Sequence, residues 1–267
     1  MPVDFHDRIT YDLVDRVARI ELAHARANSL DRRMGEALSA AAKRAGRDAI
    51  SGAARVVVVS ARGPHFSVGG DLAAFAEAPD RGAEVKATAD GLHAGLVALR
   101  ALDVPVVSVI NGTAAGGGLG IGLIGDVVIA AAEAKLVMAY TASGLAPDCG
   151  LSWMIPNRLS WARAMDLTLT NRVLTGAEAA DWGLVSRSVP AADLPATVEA
   201  VVSGLREGAT DALANAKRLM RESGGRTMAD HMDHEAATIS RLIVDPDGVE
   251  GVDAFLAKRQ PSYGARA

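Results

Sequence analysis

The sequence predicts an α/β protein, in which strands and helices alternate from the amino terminus to about residue 150. Residues 55–61, RVVVVSA, form an uninterrupted β-branched run that is typical of a strand covered on both faces. The alanine-rich segment before it, 31–50, carries apolar residues at helical spacing. A second helical segment, 85–102, leads into a second β-branched run, VPVVSVI at 104–110. This alternation is typical of α/β architecture.

Shorter signals predict the other strands. Apolar and polar residues alternate over 8–22, on either side of a break at 14–16, as they do in a β-hairpin. A short strand is predicted at 126–131, and a further one around 136–140.

Beyond residue 150 the sequence becomes almost wholly helical. TGAE at 175–178 is a capping box, which predicts a helix start. Further helices are predicted at 194–207, 210–223, 228–244 and 247–258. No repeat or proline-rich linker divides the chain, so we expect only a soft boundary near residue 195, between a core, 1–195, and a helical region, 196–267.

Composition excludes several classes of protein. Of the 267 residues, 49% are hydrophobic and 22% are charged, as in a water-soluble globular protein. The net charge is −4 with both signs interspersed, so no nucleic-acid partner is expected. Cys149 is the only cysteine, which excludes an internal disulfide and fits a reducing compartment. The uncharged stretch between Asp103 and Asp126 is rich in glycine and lacks an aromatic belt, so we expect a cytoplasmic protein with no membrane partner.

The glycine-rich passage at 110–122, INGTAAGGGLGIG, does not fit a nucleotide site. Residues 120–125 match the pattern G-x-G-x-x-G, but they start well beyond the strand that ends at Ile110. No acidic residue is placed for a ribose contact, and no Gly-Lys-Ser/Thr follows for a phosphate loop. The passage therefore needs another explanation.

Close packing of a helix against a sheet explains Gly120, Gly122 and Gly125. For residues 116–118 the hypothesis is main-chain hydrogen bonding to a carbonyl oxygen. Residues 116–118 stand where the chain leaves a strand and enters a helix, and the N–H groups of a first helical turn have no partner within the helix. A second glycine pair follows another strand, in FSVGGDL at 66–72. Two such turns that meet would form an oxyanion hole from main-chain donors.

Five separated motifs together resemble the crotonase, or enoyl-CoA hydratase/isomerase, family over residues 8–263. The motifs are RANSL, FSVGGDL, INGTAAGGGLG, ADWGLVSRSV and GVEGVDAFLAKRQPSY. The resemblance implies an α/β fold built as a spiral of ββα units, with a carboxyl-terminal helical trimerisation region. It also implies a homotrimer or a hexamer made of two trimers.

The resemblance further implies an acyl-CoA thioester substrate, with its carbonyl oxygen held between the N–H groups of Gly70 and Gly117. No metal and no cofactor are implied beyond the coenzyme A of the substrate. Arg26 is expected near a phosphate, and the carboxyl-terminal helix is expected to cover the coenzyme A. The implied substrate-binding residues are Arg26, Val68, Asp71, Leu72, Tyr140, Phe255 and Lys258.

The acidic residues favour isomerisation over hydration. Family hydratases activate water with two glutamates, and the matching positions here are Gly120 and Tyr140. One acid stands nearby, Asp148 in GLAPDCG, which alone would be interpreted as a cap for a helix that begins near Leu151. Isomerases of the family, including the ring-epoxide isomerase type, carry an aspartate in a similar stretch. The resemblance therefore implies that Asp148 moves a proton between two carbons of the acyl group.

Other activities stay open. The 4-chlorobenzoyl-CoA dehalogenase type uses an aspartate at the Asp148 position as a nucleophile and a histidine as base, and His93 matches the spacing of that histidine from Gly117. A lone histidine on a helix is, however, usually a surface residue. Enoyl-CoA hydration is a further alternative. From other classes, a non-catalytic acyl-CoA-binding homologue stays open, and an RNA-binding homologue lacks the basic stripe it would need.

Two weaker signals are given structural interpretations. Cys149 has no identifiable base partner, so it is interpreted as a pocket wall and not as a nucleophile. The tryptophans are interpreted as packing residues and not as stacking residues: Trp153, Trp161 and Trp182.

Overall fold

The structure, a computed structural model, describes residues 2–264 and confirms the α/β prediction. The strands are β1 (Val3–Phe5), β2 (Ile9–Val14), β3 (Val17–Leu22), β4 (Val56–Ala61), β5 (His65–Ser67), β6 (Val106–Ile110), β7 (Thr113–Ala115), β8 (Val127–Ala131), β9 (Lys135–Val137), β10 (Leu174–Thr175) and β11 (Arg187–Val189).

The helices are α1 (Arg32–Ile50), α2 (Leu72–Glu77), α3 (Arg81–Ala101), α4 (Gly117–Gly122), α5 (Leu151–Arg158), α6 (Trp161–Thr170), α7 (Gly176–Trp182), α8 (Leu194–Glu207), α9 (Thr210–Glu222), α10 (Met228–Leu242) and α11 (Pro246–Leu256). The predicted boundary near residue 195 falls at the start of α8, and the division into two regions stays a prediction. Met1 of the 1–195 core and residues 265–267 of the 196–267 region lie outside the described residues.

The larger sheet carries the core of the described chain. Its strand order is β1-β2-β3-β4-β6-β8-β11, in which β1 to β3 are antiparallel and the later neighbours are parallel. The predicted hairpin is confirmed as β2 and β3. Residues 56–59 of β4 are fully buried, because the sheet is covered on both faces at this strand.

The expectation that the chain is almost wholly helical after residue 150 is confirmed, with two short strands as the exceptions. β10 pairs with β9, and β11 extends the larger sheet by pairing in parallel with β8. Both strands have three residues or fewer. Runs of this length are too short to show a period of two, so their pairing is decided by tertiary contacts and not by local pattern.

A smaller sheet positions the glycine-rich turns. Its order is β10-β9-β7-β5, and β5 runs parallel to β7. The carboxyl ends of two parallel neighbours lie side by side. Because β5 leads to Gly70 and β7 leads to Gly117, the two turns are brought together by the pairing of their strands.

Helix α3 packs directly on α1. A Cβ added to Gly35 of α1 would lie 2.7 Å from the Thr88 carbonyl oxygen of α3, so the two backbones are in contact where only glycine fits. This contact fixes α3 alongside the glycine-rich turns. No helix within residues 2–264 is long and apolar enough to span a membrane.

Candidate active site

The two glycine turns touch each other at the carboxyl ends of β5 and β7. Gly69 (φ 89°) and Gly116 (φ 51°) both have left-handed backbones, which favour glycine. A Cβ added to Gly69 would lie 2.9 Å from the Ala115 carbonyl oxygen and 3.7 Å from the Cα of Gly116. The following residues, Gly70 and Gly117, therefore face the same cavity.

The N–H groups of Gly70 and Gly117 are free to bind a ligand. Neither N–H donates a hydrogen bond to any atom of residues 2–264, and Gly117 begins α4, where the helix dipole is positive. The cavity they face has a volume of about 420 Å³ and is also lined by Val68, Leu72 and Tyr140. This arrangement is suited to a carbonyl oxygen that gains negative charge.

Asp148 lies at the wall of this cavity and does not cap α5. The residue before α5 is Gly150, and no side chain caps the helix. The chain passes through two left-handed residues there, Cys149 (φ 52°) and Gly150 (φ 74°), and the Asp148 carboxylate accepts the Cys149 N–H instead. The capping interpretation is therefore wrong, because the left-handed turn directs the carboxylate away from the helix end.

His93 contacts Asp148 directly. The Nε2 atom of His93 on α3 is hydrogen-bonded to Oδ1 of Asp148. The expectation that a lone helical histidine lies at the surface is confirmed, because the side chain is 46% exposed. The imidazole holds one carboxylate oxygen, and the other, Oδ2, lies 3.9 Å from the Cys149 sulfur.

A second cavity, of about 550 Å³, shares Asp148 and Cys149 with the first but is not lined by Gly70 or Gly117. Cys149 is buried, and burial followed by the Asp148 charge raises the pKa of its thiol. It thus lines both cavities as a neutral thiol, as the pocket-wall interpretation requires. The second cavity is lined further by His93, Leu96, Val97, Arg100, Ile124, Pro147, Gly150, Ser152, Trp153 and Met154.

Tyr140 presents a buried hydroxyl that has no hydrogen-bond partner within residues 2–264. The hydroxyl oxygen would lie 3.7 Å from a Cβ added to Gly117, so it stands beside one of the free N–H groups. Burial, then the charges of Cys149 and Asp148, raise the pKa of this phenol. It is therefore a protonated donor at neutral pH, available to a ligand in the first cavity.

Gly120, which the resemblance matches to the first glutamate position of family hydratases, has no room for a side chain. A Cβ added to Gly120 would lie 2.5 Å from the Cys149 carbonyl oxygen and 2.7 Å from the Cys149 Cβ. The loop that carries Asp148 therefore occupies the space that a glutamate would need.

The other predicted binding residues divide into two groups. Asp71 caps α2 by accepting the Ala74 N–H, and it pairs with Arg26 at 3.3 Å. Neither Asp71 nor Arg26 lines the first cavity, although Gly70 and Leu72 on either side of Asp71 do. Phe255 is 82% exposed and Lys258 is exposed, and neither lines the first or the second cavity. The structure of this single chain does not bring these last two to the site.

The packing interpretation of the tryptophans is wrong for Trp153 and Trp161, which are 55% and 71% exposed. The Arg100 guanidinium lies over the Trp153 ring, 4.5 Å from its centroid. Trp182 is partly buried against the core and also receives two arginines. Stacking partners separated by many residues in sequence leave no local pattern, so the sequence could not reveal them.

Comparison with known proteins identifies the family. The family model for enoyl-CoA hydratase/isomerase matches residues 13–266. The 1,2-epoxyphenylacetyl-CoA isomerase of Escherichia coli is 33% identical over 89% of this chain and 90% of its own length. A 4-chlorobenzoyl coenzyme A dehalogenase of Arthrobacter is 29% identical over 77% of this chain and 75% of its own.

A solved structure has the same fold. The putative enoyl-CoA hydratase/isomerase from Mycobacterium abscessus superposes with a TM-score of 0.90 at 35% identity, covering 97% of this chain and 100% of that one. The chain therefore belongs to the enoyl-CoA hydratase/isomerase family and has the crotonase fold. It is an acyl-CoA enzyme of that family.

Proposed function

We propose that this enzyme isomerises an enoyl- or ring-type acyl-CoA. The N–H groups of Gly70 and Gly117 stabilise the thioester enolate, and the Asp148 carboxylate takes a proton from one carbon of the acyl group and returns it to another. The observation that carries the proposal is that Asp148 is the one carboxylate lining the cavity that both free N–H groups face, within residues 2–264.

The surroundings of Asp148 support a proton shuttle over hydration. Water addition by the usual route needs a second carboxylate, and the two matching positions hold Gly120, which has no room, and Tyr140, which is a neutral donor. His93 holds the Asp148 carboxylate, and the Asp148 side chain is 34% exposed. In this mechanism the proton that Asp148 removes returns to the same acyl group, so the product is an isomer of the substrate and no water is consumed.

Val68, Asp71 and Leu72 are proposed to lie along the coenzyme A, with Arg26 near a phosphate. Phe255 and Lys258 are proposed to cover the coenzyme A only in the assembled oligomer. Apolar side chains exposed on α10 and α11, such as Ile239 and Phe255, support a homotrimer or a pair of trimers. Sedimentation analysis of the purified protein tests the oligomer.

A cytoplasmic location is proposed because the single cysteine is unpaired, as is usual in a reducing compartment.

Substitution of Asp148 by asparagine tests the proposal. The Asp148→Asn variant is expected to bind a 3-enoyl-CoA with unchanged affinity and to lose double-bond migration by at least about a hundredfold, as expected for a lost acid/base group. Asp166→Asn, at a partly exposed aspartate of α6 outside both cavities, is the matched control. Normal turnover by Asp148→Asn, or brisk hydration of crotonyl-CoA by the wild type, would contradict isomerisation. Thioester binding without α-proton exchange in heavy water would identify a non-catalytic homologue.

Dehalogenation is a second candidate, favoured by the contact between His93 and Asp148. In that reaction an Asp148 oxygen bonds to the ring carbon of 4-chlorobenzoyl-CoA and chloride leaves. Water, deprotonated by His93, then hydrolyses the aryl ester, which releases 4-hydroxybenzoyl-CoA and restores the carboxylate. Chloride release that requires both Asp148 and His93 would select this candidate. Isomerisation predicts no chloride release.

A further inference from the structure

The second cavity continues from the proposed reacting carbons. Asp148 has to touch the carbons between which it moves a proton, and its carboxylate lies on the wall between the two cavities. With the thioester carbonyl held at Gly70 and Gly117 in the first cavity, the part of the acyl group beyond Asp148 reaches the second cavity.

The second cavity combines apolar walls with one unpaired cation. Leu96, Ile124 and Met154 are buried apolar residues of its lining. The Arg100 guanidinium, stacked over Trp153, makes no hydrogen bond or ion pair with any other side chain of residues 2–264. Its planar N–H donors are therefore available to an anion, and a guanidinium binds a carboxylate with two parallel hydrogen bonds.

Helix α3 sets the distance between this cation and the pair of His93 and Asp148. His93 and Arg100 are seven residues apart on α3 and lie on the same face, which separates their backbones by about 10 Å along the axis. A ligand that reacts at Asp148 and also reaches Arg100 is therefore an extended acyl group and not a short one.

The charges behind Arg100 increase its attraction for an anion. Burial and then the positive charge of Arg100 lower the pKa of Arg158, whose buried Nη1 atom has no hydrogen-bond partner within the described chain. The acid that opposes this charge, Asp126, already pairs with Lys217 at 2.6 Å. The region therefore carries two guanidinium groups that lack full compensation.

We propose that the second cavity binds the distal end of the acyl group and that Arg100 selects substrates with a carboxylate there, namely mono-coenzyme A thioesters of dicarboxylic acids. This inference rests on the proposed function, because it needs the thioester carbonyl at Gly70 and Gly117. Trp153 holds the guanidinium plane in place, and the apolar walls cover the methylene groups between the two ends of the acyl chain.

Calorimetric binding of matched thioester pairs tests the selection without requiring turnover. The pairs are glutaryl- and pentanoyl-CoA, adipyl- and hexanoyl-CoA, and suberyl- and octanoyl-CoA. At one or more lengths the wild type is expected to bind the dicarboxylic thioester at least about tenfold more tightly, as one charged hydrogen bond provides. Arg100→Gln is expected to abolish the preference and to leave the affinity for the monocarboxylic partner within about twofold.

Two further variants make the result specific to Arg100. Arg163→Gln removes another arginine that lies over a tryptophan, Trp182 at 4.9 Å, but stands outside both cavities, so it should keep the full preference. Arg100→Lys retains the charge and should keep part of the preference. Thermal unfolding of each variant checks that it is folded.

The binding results distinguish failure of the dicarboxylate inference, of the role of Arg100 and of the proposed function. Equal affinities within every pair for the wild type would overturn the dicarboxylate inference and leave the proposed function standing. A preference that persists in Arg100→Gln would overturn the role of Arg100. Failure to bind any of the thioesters would overturn the proposed function, and the inference with it.

Discussion

Replacement of Gly120 by alanine measures how firmly the loop of Asp148 is packed against α4. The added Cβ would lie 2.5 Å from the Cys149 carbonyl oxygen, whereas non-bonded atoms attract each other best at about 3.5–4.0 Å. One backbone segment therefore has to move by about 1 Å. Because the obstacle is backbone, we expect a cost near the upper end of ordinary overpacking, about 3 kcal/mol. The higher helix propensity of alanine returns about 1 kcal/mol, which leaves a net loss of about 2 kcal/mol.

Gly204 of α8 provides the matched control. It is an exposed helical glycine with no atom within 4 Å of an added Cβ, so Gly204→Ala should stabilise the protein by up to about 1 kcal/mol. Urea unfolding followed by circular dichroism should therefore separate the free energies of unfolding of the two variants by about 3 kcal/mol. Equal stability of Gly120→Ala and Gly204→Ala would refute the packing argument, and with it our reason for excluding a hydratase glutamate at residue 120.

Three other changes have defined outcomes. Tyr140→Phe removes an unpartnered buried hydroxyl, so it should leave thermal stability unchanged or higher. Its kcat/KM should fall about tenfold, and an unchanged kcat/KM would exclude a hydrogen bond from Tyr140 to the substrate. Cys149 should resist iodoacetamide at pH 8 until urea unfolds the chain, because burial raises the pKa of its thiol. Burial raises the pKa of Asp31, but the other interactions of its carboxylate, led by the hydrogen bond from Arg8, together outweigh burial and lower that pKa below 3.8. The Arg8–Asp31 pair therefore stabilises the fold above pH 3.8, and this contribution is lost as the pH falls through the pKa of Asp31 in the folded protein. Acid titration of stability should therefore be shallower in Arg8→Gln; an identical slope would contradict it.

The long elements of the fold could be predicted from the sequence because each carries its own local signal. The valine run of β4 and the helical spacing of α1 are examples, and the capping box of α7 is formed as TGAE predicts. β7 was missed, since Thr113–Ala115 lies within the glycine-rich passage and has three residues. Its parallel pairing with β5 is nevertheless what brings the two glycine turns together.

The candidate site was predictable in its backbone and less so in its side chains. Gly70 and Gly117 follow strands, and a strand-to-helix turn has free N–H groups whatever surrounds it. The direction of the Asp148 side chain depends on two left-handed residues, one of which is Cys149, a residue type that rarely adopts that conformation. The sequence does not indicate that Arg100 lines a cavity, because this depends on the packing of α3 beside Trp153.

The donors of the first cavity are peptide groups, and this affects how mutations act on the enzyme. A point mutation can replace Asp148, His93 or Tyr140, but a peptide N–H survives almost any exchange of side chain. A single mutation can therefore abolish turnover and leave thioester binding intact. With the roles proposed for Gly70 and Gly117, a copy of the gene that has lost its reaction would still encode a protein that binds coenzyme A esters, and new chemistry could arise in it from changes at the cavity wall alone.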